Sequence, residues 1–413
     1  MTQIVQLLSD VANNDAIRQK LIDNKNKVYF LNFGSGDNIL KEGITVNRVM
    51  FKIPGTNIEI YWYGFLIALG ILLAMIYGFK KMKSVGIDPD RATDAVIGGI
   101  IGAILGARTY YIIFYADMSF KDFFDIRDGG LAIYGGIIGA ILVGGIIAKL
   151  RKLKLTALLD VVAPCFLIGQ CIGRWGNFFN QEAFGTNTKL PWGMLSYRTA
   201  NFIAENDLTD LDQFSAVHPC FLYESLWCLL GFVLLHLYMK HRKFDGEVFL
   251  MYLGWYGLGR FFIEGLRTDS LYLGKIRVSQ LLAGTCVLAS VILIIVFRNI
   301  IKRNGNYKFF YQTEVSKAQL EAYNSAVDSE KERKALKKKI SEAKSKGESF
   351  IELQKEYDSK FGKDALKAQK ENLKKAEESD KKKSDSDGED TEYRSILEDD
   401  ADDEKNDKKE EEK

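Results

Sequence analysis

The sequence predicts an all-α integral membrane protein with seven transmembrane helices, a small outward-facing cap and a charged cytoplasmic tail. Seven apolar segments between residues 61 and 298 each approach the roughly 20 residues that cross a bilayer. Basic residues recur in alternate loops. After residue 298, Lys, Glu, Asp, Ser and Ala dominate. The mean hydropathy near zero and the net charge of +2 are therefore averages over an apolar domain and a polar tail. Neither value indicates nucleic-acid binding.

Residues 1–60 are predicted to form an extracytoplasmic N-terminal segment. Residues 1–45 of this segment lack the basic and apolar regions of a cleavable signal peptide. Apolar residues between Ile4 and Ile22 have helical spacing, which predicts a short amphipathic helix. From Val46 to Glu59 the pattern becomes strand-like around a Pro-Gly-Thr-Asn turn. This pattern predicts a hairpin that leads into the first span.

The seven predicted spans lie within residues 61–298, which we take as one membrane domain. The fourth and the sixth are the least distinct, because each runs into charged residues at its outer end. Small residues repeat every four positions in spans two and three, as at Gly98, Gly102 and Gly106, and this spacing lets helix backbones approach closely. The spans are Tyr61–Phe79, Ala95–Tyr115, Leu131–Ala148, Leu155–Cys171, Cys220–Met239, Val248–Leu266 and Val278–Phe297.

Basic residues predict the orientation of the chain in a cell membrane. Four clusters follow spans one, three, five and seven, so all of them fall on one side, which is expected to be cytoplasmic. The N-terminus and the loops at 116–130 and 173–217 are then expected outside, and the C-terminus inside. The clusters are Lys80, Lys81, Lys83 and Arg91; Lys149, Arg151, Lys152 and Lys154; Lys240, Arg242 and Lys243; and Arg298, Lys302 and Arg303.

Two further regions flank the spans. Residues 186–216 form an outer insertion long enough for a small cap. Residues 299–413 form the cytoplasmic tail, with a charged helix predicted over Leu320–Lys375 and disorder over Ser379–Lys413. A deletion after about residue 305 is expected to leave the activity of the membrane domain unchanged.

Neither a metal nor a cofactor is predicted. The five cysteines lie in or beside apolar runs, and their spacings match neither a disulfide framework nor a metal site. The chain has only three histidines, which argues against a histidine-based metal site.

The most informative stretch runs from Gly173 to Gly185 and reads Gly-Arg-Trp-Gly-Asn-Phe-Phe-Asn-Gln-Glu-Ala-Phe-Gly. It places Arg174, Asn177 and Glu182 directly after an apolar run, where the membrane gives way to water. Ionisable groups at that depth are costly and are usually functional. The alternative is a polar loop whose arginine reaches the lipid headgroups. Five polar side chains among glycines and aromatic residues favour a site.

The sixth span carries a second polar stripe. Tyr256, Arg260, Glu264 and Arg267 follow one another at steps of four, four and three residues, which places them on one helical face. An Arg260–Glu264 pair that neutralises itself is the alternative interpretation. Because the stripe emerges on the same side as Arg174, the two stretches together indicate a site for an anionic, partly apolar ligand such as a phospholipid headgroup.

Several other polar residues have two readings. The aromatic residues around Tyr63 are typical of an interfacial belt. His218 precedes a proline that starts span five, so it can simply flank a helix cap. Arg108 and Glu224 lie within apolar runs and are harder to explain by packing. Tyr134, beside two glycines, is most simply a packing residue.

Residues 173–185 closely resemble the signature of the prolipoprotein diacylglyceryl transferases. The resemblance covers about residues 46–298 and extends in the same order to several further motifs. These are Trp62-Tyr63-Gly64, the Gly-Gly run around 135, Pro191-Trp192-Gly193, His218-Pro219 with Leu222-Tyr223-Glu224, and Tyr256-Gly257 through Arg260, Glu264 and Arg267.

The resemblance implies an integral membrane enzyme with two substrates, phosphatidylglycerol and a prolipoprotein signal peptide that carries a lipobox cysteine. The diacylglyceryl group would move from the lipid to the cysteine thiol, so that a thioether forms and glycerol phosphate leaves. This reaction is the first step of lipoprotein maturation, at the outer face of the cytoplasmic membrane. Beyond these substrates, only membrane lipids are expected as partners.

The resemblance also implies roles for individual residues. Arg174 and Arg260 would bind the phosphate, and Asn177 and Glu182 would orient the headgroup and its hydroxyls. Gly185 would permit close backbone approach. The expected catalytic residues are Arg174, Arg260, Asn177, Glu182 and Tyr134. The expected substrate-binding residues add Tyr63, Tyr256, Glu264, Arg267 and His218, of which Glu264 and Arg267 would hold the Arg260 side.

One position departs from the family pattern. Many members carry histidine where this chain has Tyr134, and that histidine is the usual candidate for accepting the thiol proton. A phenol with a pKa of about 10 is a poor base at neutral pH. Either Tyr134 only positions the substrate, or Glu182 or His218 takes the proton.

Two other classes of protein share some of these features. Buried arginine and glutamate in a helical bundle also mark transport pathways, but transporters commonly contain internal repeats and none is evident in this sequence. A lipid-binding receptor or scaffold is the third alternative.

Overall fold

The structure, a computed structural model, describes residues 14–30, 43–114, 130, 132–268, 272–273, 276–305, 307–346 and 349–361. Residues up to Tyr323 belong to one compact unit and those from Asn324 onward to a second. The predictions for residues 1–13, for most of the loop at 116–130 and for disorder after Ser379 lie outside the described residues.

Helices dominate the described residues, as predicted. In chain order they are α1 (14–23), α2 (Trp62–Met82), α3 (Pro89–Phe114), α4 (Ile133–Leu150), α5 (Leu155–Asn180), α6 (Tyr197–Glu205), α7 (Cys220–Tyr238), α8 (Glu247–Glu264), α9 (Val278–Asn304), α10 (Glu314–Lys346) and α11 (Ile351–Phe361). The strands are β1 (Lys27–Phe30), β2 (Ile44–Thr45), β3 (Val49–Lys52), β4 (Glu59–Tyr61), β5 (Met194–Ser196), β6 (Tyr272–Leu273) and β7 (Ile276–Arg277).

Six of the described helices are long and apolar enough to cross a membrane. They are α2, α3, α4, α5, α7 and α9, and each corresponds to a predicted span. The helix α3 begins at Pro89, earlier than predicted, because proline suits a first helical turn and the Asp88 carboxylate accepts the backbone N–H of Asp90 at 2.9 Å.

The helix α8 corresponds to the remaining predicted span. Its 18 residues include Glu247, Arg260 and Glu264, so its composition is more polar than that of the six apolar helices. Trp255 of α8 and Trp227 of α7 stack with ring centroids 4.2 Å apart, and each indole N–H donates to the other residue's carbonyl. This reciprocal contact holds α8 against α7.

The helix α5 continues well past the predicted end at Cys171. It ends at Asn180, and Gln181 adopts a left-handed conformation with φ of 56°. The prediction that residues 173–180 belong to an outer loop is therefore wrong. Gly176, one of the glycines that suggested a loop, serves packing, because the Tyr63 ring lies directly against it.

Glycines bring α3 and α4 into close contact. A Cβ added to Gly106 would lie 2.3 Å from the carbonyl oxygen of Gly135, and one added to Gly139 would lie 2.1 Å from that of Gly102. Only glycine permits this approach of the two backbones.

The N-terminal segment and the insertion share one small sheet. The strand β1 pairs antiparallel with both β2 and β5, so that Tyr29 lies opposite Leu195. Val28, Met194 and Val217 are buried in a common apolar cluster. The predicted hairpin is present as β3 and β4, and it leads directly into α2.

Residues 307–323 pack onto one end of the helical bundle. Phe310 is 6% exposed within an apolar cluster that also contains Ile87 and Val161, and its backbone N–H donates to Asp245 at 2.8 Å. The Ser316 hydroxyl donates to the carbonyl of Gly86 at 2.6 Å. Because of this packing, we expect a harmless deletion to begin after about residue 323 instead of about residue 305.

We expect a chain that ends after residue 305 to be less stable than one that ends after Tyr323. The shorter chain loses the buried Phe310 ring, and the substitution Phe310→Ala should cost about 3 kcal/mol for the same reason. Thermal unfolding in detergent measures both effects. Equal midpoints for the two truncated chains would show that residues 307–323 contribute nothing.

The second unit contains the end of α10 and all of α11. Leu336 and Ile340 are buried, as is Phe361 at the end of α11. Lys360 lies 2.6 Å from Glu332 and 2.9 Å from Glu356.

Candidate active site

Glu224 of α7 lies at the centre of a cluster of arginines. It is only 3% exposed. Its Oε1 accepts a hydrogen bond from Arg260 Nη1 at 2.8 Å, and Arg267 Nη1 lies 3.7 Å from the same oxygen. Its Oε2 lies 2.6 Å from Arg174 Nε, although that ion pair is not aligned as a hydrogen bond. One buried carboxylate therefore gathers the arginines of α5 and of the predicted polar stripe.

A second carboxylate completes the cluster. Glu264 is 2% exposed and forms a close ion pair with Arg260, one helical turn earlier. Its carbonyl oxygen accepts a hydrogen bond from Arg277 Nη1 at 2.8 Å. Arg174, Arg260 and Arg267 carry three positive charges against the two carboxylates, which leaves a net charge of +1 before Arg277 is counted. The predicted pair does not neutralise the site, which remains suited to an anion.

Tyr256 lies beside this cluster. It makes electrostatic and hydrogen-bonding contacts with Arg174, and its ring stacks 5.9 Å from that of Tyr252. The structure thus brings together all four residues of the predicted stripe with Arg174. A guanidinium has five N–H donors, which is more than the Glu224 and Tyr256 contacts of Arg174 use.

Tyr63 lies at the start of α2 and packs on the same part of α5. A Cβ added to Gly176 would lie 2.5 Å from Tyr63 Cδ2. Since Gly176 sits between Arg174 and Asn177, the contact places the Tyr63 ring over the signature. The substrate-binding role of Tyr63 stays a prediction.

The substitution Gly176→Ala is expected to displace the Tyr63 ring and lower enzymatic activity by about tenfold, because small misplacements at a site are costly. Gly169→Ala is a matched control in the same helix, since nothing lies within 4 Å of an added Cβ there. Rates and unfolding midpoints of both variants test this expectation. A Gly176→Ala protein with the wild-type rate would contradict it.

Glu182 lies just beyond the end of α5 and forms a separate polar group. Its Oε1 accepts hydrogen bonds from Asn177 Nδ2 at 3.0 Å and from Asn180 Nδ2 at 3.1 Å. The helix ends so that both amides face this carboxylate, because the left-handed residue Gln181 turns the chain back. Glu182 is exposed, in contrast to Glu224 and Glu264.

Gly185, the last residue of the 173–185 stretch, connects that stretch to the polar stripe. It forms an isolated bridge with Arg267, and its N–H donates to the His218 carbonyl at 2.9 Å. An added Cβ would lie 2.9 Å from His218 Cβ and 3.0 Å from the Leu266 carbonyl oxygen. The close approach expected of Gly185 is thus to the protein's own backbone.

His218 ends a chain of three hydrogen-bonded side chains. Trp192 Nε1 donates to the Tyr223 hydroxyl at 2.8 Å, and that hydroxyl lies 3.0 Å from His218 Nδ1. The Tyr223 hydroxyl accepts the indole N–H and can either donate to Nδ1 or accept from it, depending on the tautomer of His218. Burial lowers the pKa of His218 and favours the neutral imidazole. Its Nδ1 atom is already engaged by Tyr223.

Tyr134 is placed apart from the arginine cluster. It lies in the first turn of α4, is 38% exposed, and has its ring 6.5 Å from that of Tyr110 in α3. Its described contacts include no member of the cluster. Arg108 of α3 is buried and donates to the Gly130 carbonyl at 3.0 Å, which fits a structural role.

No group of three or more His, Cys, Asp or Glu side chains that could hold a metal ion occurs among the described residues. The polar side chains of the site are chiefly guanidinium, amide and phenol groups. These groups bind anions through hydrogen bonds and charge.

Sequence reasoning singled out Glu224 without giving it a role. Its position inside an apolar run was the available signal. Its central place depends on Arg260, which lies 36 residues away in the chain. Ser225, the next residue, accepts the Trp175 indole N–H at 3.1 Å and donates to the Cys171 carbonyl at 2.9 Å, which ties α7 to α5 beside the cluster.

Comparisons with known proteins identify the family of the chain. Residues 48–296, more than half of the chain, match the family model described as prolipoprotein diacylglyceryl transferase. The chain is 44% identical over 257 residues to the phosphatidylglycerol–prolipoprotein diacylglyceryl transferase of Finegoldia magna, and the match covers 61% of the chain and 96% of the relative. It is 43% identical over 270 residues to that of Clostridium novyi, covering 64% of the chain and 100% of the relative.

A third relative, the phosphatidylglycerol–prolipoprotein diacylglyceryl transferase of Enterococcus faecalis, is 41% identical over 280 residues, which cover 66% of the chain and 96% of the relative. The matched residues contain the Glu224 cluster, Tyr63 and the whole 173–185 stretch. The chain belongs to the prolipoprotein diacylglyceryl transferase family.

Proposed function

We propose that this chain transfers the diacylglyceryl group of phosphatidylglycerol to the lipobox cysteine of a prolipoprotein. The names of the relatives support the two substrates. The observation that carries the proposal is the net positive cluster that Glu224 assembles from Arg174, Arg260 and Arg267. A phosphodiester is an anion that such guanidinium groups bind well.

The site would lie near the outer face of the cell membrane, with α8 as a seventh span. The contacts between α8 and α7 support this placement, since they would let Arg260 and Glu264 face protein instead of lipid. Lys154 lies at the start of α5 and Arg174 near its end, so the basic loops and the site fall at opposite ends of the bundle. The N-terminus would then be outside, the C-terminus inside, and the sheet of β1, β2 and β5 would form the cap.

This placement suggests three regions. The N-terminal 60 residues would join the insertion at 186–216 in the cap, and residues 61–298 would form the catalytic membrane domain. The cytoplasmic tail, assigned to 299–413, would begin functionally near residue 324, because residues 307–323 pack on the bundle.

In the proposed reaction the thiol sulfur attacks the glycerol carbon that bears the phosphodiester oxygen. A carbon–sulfur bond forms, the carbon–oxygen bond breaks, and the electron pair of that bond leaves with glycerol phosphate. Negative charge therefore grows on the departing phosphate. Fixed guanidinium donors from Arg174 and Arg260 in a site with little water stabilise that charge more than they stabilise the intact lipid.

The thiol must lose its proton in the same step. A cysteine thiol has a pKa of about 8.5, and a positive surrounding favours the thiolate. We assign the proton to Glu182. Its described hydrogen-bond donors are the amides of Asn177 and Asn180, whereas Glu224 and Glu264 are held by arginines. Tyr134, which lies apart from the cluster, would position the substrate.

Purified protein should be incubated with phosphatidylglycerol labelled separately in an acyl chain and in the headgroup glycerol, together with a lipobox peptide. We expect the acyl label on the peptide and the headgroup label in free glycerol phosphate. A peptide with serine in place of the cysteine is the control. Lipid binding without transfer would favour a receptor, and movement of label across vesicles would favour a transporter; either result would contradict the proposal.

A further inference from the structure

A second polar chain reaches Glu182 from outside the arginine cluster. Arg48, which precedes β3, donates from Nε to the Oδ1 atom of Asn180 at 3.2 Å. Asn180 in turn donates from Nδ2 to Glu182 Oε1 at 3.1 Å. One amide therefore links a guanidinium that comes 132 residues earlier in the chain to the carboxylate of the signature.

The position of Arg48 is fixed by its own surroundings. Its carbonyl accepts the backbone N–H of Trp62 at 3.0 Å. The Trp62 ring stacks on Phe179 with centroids 4.7 Å apart and planes inclined by 10°. The hairpin that carries Arg48 is thus attached to the last turn of α5, immediately beside Asn180.

Arg48 and Glu182 hold the Asn180 amide from its two ends. An asparagine side chain presents a carbonyl oxygen at one end and an NH2 group at the other. A guanidinium can only donate, so Arg48 binds the carbonyl end, and an ionised carboxylate can only accept, so Glu182 binds the NH2 end. Without Arg48 the amide keeps its contact with Glu182 but loses the partner that fixes its other end.

We propose that Arg48 is a positioning residue for the transfer reaction and acts through Asn180 on Glu182. The inference deepens the proposed function, because it rests on the role given to Glu182. Arg48 need not contact either substrate. The other charged group that faces Glu182 among the described residues is Arg198 of α6, which also faces Arg48.

The substitution Arg48→Ala is expected to lower kcat by about 10- to 100-fold, with the KM for phosphatidylglycerol changed by no more than about twofold. Arg48→Lys should recover part of this loss, because a lysine ammonium can also only donate and therefore binds the same end of the amide. Rates at several lipid concentrations measure these effects.

Coupling between variants separates this role from a structural one. In an Asn180→Ala background, Arg48→Ala should cause no further loss of kcat. Asn180→Asp should also lower kcat, because it keeps an acceptor for Arg48 but turns a second carboxylate oxygen toward Glu182. Lys52→Ala on the same hairpin is the matched control, since its 2.5 Å ion pair with Glu59 is on the exposed surface.

Three results would overturn the inference. They are a normal kcat for Arg48→Ala, a normal kcat for Asn180→Asp, and additive losses in the double variant. Should Arg48→Ala fail to fold, the Asn180→Asp result decides. If the wild-type chain transfers no label, the proposed function itself fails; if the wild type transfers label and Arg48→Ala matches it, only the positioning role fails.

Discussion

The substitution Arg174→Ala is expected to reduce transfer by at least about 100-fold while the protein remains folded. Arg174 lies near the end of α5, where it forms an ion pair with Glu224 and lies against Tyr256. Loss of a fixed donor to a developing negative charge typically costs about 10²- to 10³-fold in rate. Arg174→Lys should recover little of this, because an ammonium is a point charge and cannot form paired hydrogen bonds to a phosphate.

Rates of label transfer, normalised to folded protein by size-exclusion chromatography, measure this loss. Arg151→Ala is the matched control, since Arg151 is 53% exposed and pairs with Asp94 away from the cluster. Arg151→Ala should have the wild-type rate. Near-normal turnover of Arg174→Ala would remove Arg174 from the phosphate site.

The second large effect is expected for Glu224→Gln. This change keeps the shape of the side chain but leaves Arg174, Arg260 and Arg267 opposite a single carboxylate, Glu264. Removing one member of a buried ionic cluster costs about 3–5 kcal/mol. We expect a lower unfolding midpoint and a loss of at least about 100-fold in transfer per folded molecule, because the arginines no longer hold one arrangement.

Glu247→Gln tests whether that loss is specific. Glu247 is as deeply buried as Glu224 and also pairs with an arginine, Arg298, at 2.6 Å. It begins α8, at the opposite end of that helix from the arginine cluster. Glu247→Gln should lower the unfolding midpoint and leave the transfer rate of the folded protein unchanged. If the two variants lost activity equally, the Glu224 effect would be one of stability alone.

The sequence predicted the spans and the polar stripe well, because both depend on local spacing. Apolar runs of bilayer length occur where the six apolar helices lie. Steps of four, four and three residues correctly placed Tyr256, Arg260, Glu264 and Arg267 together. Patterns of this kind need no knowledge of distant parts of the chain.

Features that depend on distant contacts were not predictable in the same way. Glu224 gathers arginines from two separate segments, α5 and the polar stripe, and the pairing of β1 with β5 joins residues 28–30 to residues 194–196. Phe310 lies at the start of a strongly charged region whose composition suggested a dispensable tail. The structure nevertheless buries its side chain. Gly173 and Gly176 suggested a loop because helix propensity alone disfavours glycine, whereas packing against Tyr63 favours glycine at position 176.

The arginines' action on the departing phosphate is tested most directly by changing the leaving group. A diacylglyceryl donor with a sulfonate ester in place of the phosphodiester carries a better leaving group, which needs less stabilisation in the transition state. The rate ratio of wild type to Arg174→Ala should therefore be at least about tenfold smaller for the sulfonate donor than for phosphatidylglycerol. Equal ratios for the two donors would show that Arg174 only binds the lipid or maintains the fold, and would contradict the account.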